Sequence, residues 1–144
     1  VARELRVRRG MFAVGCSWFR SIDKSDMFSA SELKHGIHGG EVETSMLLHL
    51  HPRHVDMTHA QDFVPRSVEI ERAGSMLPPE GQVGFGWQTQ DIQPWGACGN
   101  AAAADAERGR ILVERAAAAL IRLCGEVAAY SLDNVTGKPA YGGS

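Results

Sequence analysis

Apolar and polar positions along the chain divide it into helix-like, strand-like and irregular stretches. The opening run VARELRVRR carries Val1 and Leu5 among charges that are basic toward its end, and Gly10 follows it. That is the punctuation of a helix C-terminus. No capping residue precedes the run, so the chain is expected to open inside a domain. MFAVGCSWF comes next, short and continuously apolar, and predicts a buried strand over Phe12 to Trp18. A helix, a glycine and then an apolar strand is the order of an α/β unit built on a mostly parallel sheet.

RSIDKSDMFSASELK is polar and irregular, and reads as a loop. From Glu41 the apolar residues Val42, Met46, Leu47 and Leu50 recur at helical spacing until Pro52, which disfavours helix in the residue before it. His38, Gly39 and Gly40 therefore stand at a helix N-terminus. PRHVDMTHAQDFVP reads as a connector, and the alternating SVEIER predicts a strand. The Gly- and Pro-rich stretch from Gly74 to Asn100 predicts a long loop with room for one short strand, and a loop of that length is more often functional than idle. Asn100 can cap a final helix, with Asp105 and Glu107 near its positive end. Leu112, Ala116, Ala119, Leu120, Leu123 and Val127 form its apolar face. Residues 1–130 read as part of a single domain and 131–144 as a frayed tail.

Composition adds exclusions. Hydrophobic residues make up 44% and charged residues 22%, a globular rather than a disordered balance. A net charge of −2 and a pI near 6.3 give no pull toward nucleic acid or an anionic membrane. No apolar run approaches the ~20 residues of a membrane span. The basic start lacks the apolar stretch of a secretory leader, and a cytoplasmic location is the expectation. Cys16, Cys98 and Cys124 are too scattered for a thiolate metal site or a disulfide framework, and are expected to be buried small thiols.

All six histidines lie between His35 and His59. Imidazole suits both metal binding and proton transfer near neutral pH. His49, His51 and His54 flank a helix C-terminus, where an imidazolium meets the negative end of the helix dipole, and that structural role accounts for them. His38 differs, because Gly39 and Gly40 would open the backbone N–H groups beside it to an anion or a developing oxyanion. Glu41 and Glu43 fall in or near the first turn but point about 200° apart, so at most one can face the site with His38. His35, His38 and Glu41 would not share one face of a regular helix, and their spacing matches no established zinc signature.

The segment HGGEVETSMLLHLHPRHV resembles the creatininase (creatinine amidohydrolase) family motif His-Ala-Gly-x-x-Glu-Thr-Ser, its apolar helix and its Pro-x-x-Val connector. Here the motif falls on His38, Gly39, Gly40, Glu43, Thr44 and Ser45. RELRVRRGMFAVGCSWF resembles the helix and strand before that motif, and GACGNAAAADAERGR resembles the family's late Gly-x-x-Gly segment and Glu-x-Gly helix. The resemblance implies a layered α/β/α fold and metal-dependent hydrolysis of the C–N bond of an amide or cyclic amide. It further implies a divalent metal, zinc or manganese, a small-molecule amide substrate and a homo-oligomer, often a hexamer.

On that resemblance His38 is the active-site histidine, Glu43 the motif carboxylate and Glu41 a looser catalytic candidate. Trp18, His35, Gly39 and Gly40 are candidates for contacting substrate, with a core or interface role as the alternative for Trp18. The family's metal ligands come from a Glu-x-His motif with a downstream Asp and from a Gly-His-Gly-Gly-Asn-like loop. Neither motif is in this sequence. Both are expected upstream of Val1, which would make this the C-terminal portion of a longer enzyme, inactive alone. In creatininases an aromatic residue precedes the histidine motif. Here Leu33-Lys34-His35 stands there, which sets creatinine itself in question as the substrate. The alternative from another class is a non-catalytic binding or oligomerisation module with an incidental histidine-rich metal patch.

Overall fold

The computed structural model describes residues 1–135 and Gly137. The chain forms two compact units, one of residues 1–22 and 115 onward, the other of residues 23–114. The tail expected over 131–144 falls mostly outside the described residues. Within them, Leu132–Asn134 forms a single 3₁₀ turn capped by the Ser131 side chain.

In the smaller unit, helix α1 (Ala2–Arg9) ends where the sequence places its stop. Gly10 takes the left-handed conformation at φ 64°, and its N–H closes the last turn on the Arg6 carbonyl. The strand expected over Phe12–Trp18 is not formed. Ser17 is extended, at φ −102° and ψ 107°, but no strand among the described residues pairs with this segment, and Trp18–Arg20 turns into 3₁₀ helix. An extended segment without a neighbouring ladder is not a sheet strand. Phe12 instead stacks on Tyr130, with ring centroids 4.1 Å apart.

The larger unit holds helices α2 (Ala30–His35), α3 (Glu41–Leu50), α4 (Ser67–Arg72) and α5 (Thr89–Ile92), with strands β1 (Asp62–Phe63) and β2 (Gly99–Asn100). Helix α6 (Ala106–Ala129) begins in this unit. The sheet is small and antiparallel, pairing Asp62 with Asn100 and Phe63 with Gly99, and an isolated bridge joins His38 to Cys98. The layered α/β/α arrangement with a mostly parallel sheet is therefore not seen among the described residues, which are mostly helical.

Three local expectations change for physical reasons. The loop expected around Ser29 contains α2, which the Ser29 hydroxyl caps by accepting the Glu32 N–H at 3.1 Å. SVEIER is helix α4 rather than a strand; six residues of alternation are too few to decide the period. Asn100 caps the 3₁₀ turn Ala101–Ala103, while α6 starts later, with Asp105 Oδ1 accepting the Glu107 N–H at 2.9 Å.

Phe28, Val42, Ile92, Cys98, Ala101 and Leu112 form the buried apolar centre of this unit. Burying a side chain the size of Val or Leu contributes about 1.5–3 kcal/mol. Helices α3 and α6 approach closely where Gly109 faces Ser45. Ser45 is fully buried, its hydroxyl accepts the Asp105 N–H at 3.0 Å, and a Cβ on Gly109 would overlap its carbonyl. Gly109→Ala should cost about 1–3 kcal/mol by overpacking. Urea unfolding of this variant would contradict the packing if stability were unchanged or raised.

The cysteines divide. Cys98 is fully buried, and burial pushes its thiol pKa up; Cys16 and Cys124 are exposed, against the expectation that all three are buried. A thiol reagent should modify Cys16 and Cys124 in the folded protein and reach Cys98 only on unfolding. Rapid modification of Cys98 in the native state would refute its placement.

Candidate active site

Helix α3 sets the position of His38. Gly39 adopts φ 64°, a left-handed turn that a side chain would strain, and Gly40 is the residue at which the helix starts. The His38 side chain is 62% exposed. Its carbonyl accepts the Cys98 N–H at 2.6 Å, so the backbone beneath the imidazole is tied to the segment that leads into β2.

The two glutamates separate as helical geometry requires. Glu43 turns back over the start of α3, where one carboxylate oxygen accepts the Gly39 N–H at 2.6 Å and lies 3.7 Å from His38 Nδ1. The second distance is too long for a hydrogen bond but allows attraction to an imidazolium. Thr44 Oγ1 also reaches the Gly39 carbonyl, at 3.3 Å. Glu41 is buried on the other side and pairs with Arg108, whose guanidinium also meets the Met27 carbonyl at 3.1 Å and lies over the Phe28 ring. Glu43, not Glu41, thus stands beside His38.

Glu32 lies beneath this loop and is only 5% exposed. One oxygen accepts the Asn100 N–H at 3.0 Å, and the other faces the Val42 N–H at 3.4 Å. Gly36, Gly40 and Gly99 close around the carboxylate, and a Cβ on Gly99 would come within 2.7 Å of it. The glycines at the start of α3 predict N–H groups open to a bound anion. Two groups there are instead held by the chain's own carboxylates, Val42 N–H by Glu32 and Gly39 N–H by Glu43. Glu32 was missed in the sequence, although Ser29-x-x-Glu32 is a capping-box pattern. Its side chain departs from that pattern by reaching to Asn100 rather than back to its own helix start.

His35 is buried at 7% exposure. Its Nδ1 lies 2.9 Å from Ser67 Oγ and its Nε2 2.6 Å from a Glu71 oxygen. Ser67 and Glu71 stand one helical turn apart on α4, the spacing that lets both reach one imidazole. Lys34, and after it His35, hold the Glu71 carboxyl below its ordinary value. The Glu71 contribution to stability is therefore complete above the ordinary value of 4.5 and is lost as the pH falls through the lower folded value. The difference in melting temperature between wild type and Glu71→Gln should shrink below pH 4.5. A difference that stayed constant with pH would contradict this linkage.

Trp18 belongs to the smaller unit, where it lines a cavity of about 290 Å³ with Leu120, Leu123 and Ala116. His49, His51, His54 and His59 are exposed, and His51 packs edge-on against His54. Among the described residues no group of three or more His, Cys, Asp or Glu side chains is placed to hold a metal ion. The donors around His38 do not make up a complete metal site.

The creatininase family model, described as creatinine amidohydrolase, matches residues 1–124. The chain belongs to the creatininase family. A crystal structure of a proposed creatinine amidohydrolase from Bacteroides fragilis NCTC 9343 is similar to it, with a TM-score of 0.68 and 24% sequence identity. The match covers 91% of this chain and 49% of the other, so this creatininase-family chain spans about half the length of that protein and shares its fold. No curated protein matches the chain.

Proposed function

We propose that this chain carries the histidine-bearing part of an amidohydrolase active site that hydrolyses the C–N bond of an amide or cyclic amide. The observation that carries the reading is an exposed His38 held on a glycine turn at the start of α3, with Glu43 beside it. Family membership supplies the reaction class.

Amide hydrolysis needs a proton delivered to the departing nitrogen, and an imidazole near its own pKa is suited to the task. His38 donates that proton as the C–N bond breaks. The Glu43 carboxylate fixes the Gly39 N–H, so the turn under His38 keeps its shape. Glu41 serves by anchoring α3 through Arg108. Gly39 and Gly40 let a substrate approach the backbone closely. His35 is buried and both its ring nitrogens are taken by Ser67 and Glu71, so it is assigned no substrate contact at this site. The divalent metal that the family resemblance implies, zinc or manganese, would need ligands beyond those gathered around His38, and it would polarise the scissile carbonyl or supply a bound water.

The test is a hydrolysis assay on the full-length protein with creatinine, other cyclic amides and small formamides. At least one should be cleaved, with activity lost to a chelator and restored by zinc or manganese. Failure on every amide, or activity indifferent to the chelator, would overturn the reading.

A further inference from the structure

A second cluster lies outside the His38 site. Ser67 is 5% exposed and lines a cavity of about 340 Å³ whose walls include Ile37, Ile70, Pro78 and Pro79. Its hydroxyl and the Glu71 carboxylate meet the two nitrogens of His35 at 2.9 and 2.6 Å. Nucleophile, base and orienting acid in hydrogen-bonded sequence are the arrangement that activates a serine, whatever their order along the chain.

We propose that Ser67, His35 and Glu71 form a nucleophilic centre that accepts the acyl group of a small, apolar, activated ester.

The chemistry fixes the direction of each bond. An ionised carboxylate only accepts hydrogen bonds, so the proton facing Glu71 sits on His35 Nε2. In the neutral ring Nδ1 then carries a lone pair, and Ser67 donates to it. Lys34 pairs with the other Glu71 oxygen and keeps that carboxyl ionised. The ring is used in the reverse sense from the familiar triad, with Nδ1 toward the hydroxyl and Nε2 toward the acid. The pairing needs only one acceptor nitrogen and one donor nitrogen, so either sense satisfies it. Ile37, Ile70, Pro78 and Pro79 offer a short apolar acyl chain a surface to lie on, beside the charged Lys34, Glu71 and Glu80 that also line the cavity.

In the acylation step Ser67 Oγ forms a bond to the ester carbonyl carbon. The Ser67 proton passes to His35 Nδ1. The bond to the leaving oxygen then breaks, and a p-nitrophenyl ester releases p-nitrophenolate. With a fluorophosphonate, an Oγ–P bond forms, the P–F bond breaks and fluoride leaves.

The experiment treats the full-length protein with p-nitrophenyl acetate and with an alkyl fluorophosphonate, and locates the adduct by peptide mass spectrometry. The expected result is a stoichiometric adduct on Ser67. Labelling should be abolished in Ser67→Ala, slowed about 100-fold or more in His35→Gln, and slowed in Glu71→Gln. Glu71 is partly exposed, so Glu71→Gln lowers the melting temperature without emptying a buried position, and its labelling rate, measured below that temperature, decides the matter even if a buried variant fails to fold. No adduct on the wild type, an adduct elsewhere, or Ser67 labelling unchanged in Glu71→Gln would overturn the proposal. A hydroxyl that merely ties α2 to α4 would give one of those three outcomes.

Discussion

Glu32→Ala should destabilise the protein by about 3 kcal/mol, because hydrogen bonds to a charged group contribute about 1.5–3 kcal/mol each and their loss strands buried donors. The Asn100 N–H, 3.0 Å from the carboxylate, loses its acceptor, and so does the more weakly held Val42 N–H at 3.4 Å. Gly36, Gly40 and Gly99, which close around the carboxylate, carry no side chains of their own to fill the space it leaves. Glu32→Gln keeps the shape but replaces one oxygen with an NH₂ group. The two backbone donors approach different oxygens, so one of them must then face another donor. A smaller loss, of about 1–2 kcal/mol, is expected for Gln. Urea unfolding measures both variants. Two variants within ~0.5 kcal/mol of wild type, the ordinary range for surface substitutions, would show that Glu32 is not a keystone of this loop.

That prediction depends on contacts the sequence hides. Helix α1 with its Gly10 stop, and α3 running from Glu41 to Leu50 ahead of Pro52, are legible because their signals are local: a glycine, a proline and a helical apolar period. The opposite facing of Glu41 and Glu43 is legible for the same reason, since it follows from helical rotation alone. Glu32 is not, because its partner Asn100 lies 68 residues away and its cage is made by glycines from two separate segments. His35 reads as part of a histidine cluster, yet its partners Ser67 and Glu71 lie 32 and 36 residues on, in a segment whose alternation points to a strand.

The strand over Phe12–Trp18 shows another limit. Apolar content marks a segment suited to a sheet, but a strand exists only where a neighbour supplies hydrogen bonds. Among the described residues that neighbour is absent, and the segment is left unpaired. The motif itself carries more packing than its spacing reveals. Ser45, buried against Gly109, ties α3 to the start of α6, and Thr44 braces the Gly39 carbonyl in the turn that presents His38.

The largest functional effect is expected at His38. Its side chain is 62% exposed and approaches Glu43 at 3.7 Å, and its backbone bond to Cys98 survives replacement of the ring. His38→Ala should therefore leave the unfolding midpoint close to wild type while removing the group that transfers the proton. General acid–base catalysis contributes typically about 10²–10⁴-fold, and the loss should fall in kcat more than in KM, because the proton moves only in the transition state. Glu43→Gln should reduce kcat less, since a carboxamide can still accept the Gly39 N–H while giving up the charge beside the imidazole. The most direct measurement is kcat and KM of His38→Ala and wild type in the full-length protein, on the best amide substrate, with unfolding curves recorded in parallel. A fall in kcat of about 100-fold or more at unchanged stability is the predicted result, and a kcat within a few-fold of wild type would contradict the assignment of His38 to the reaction.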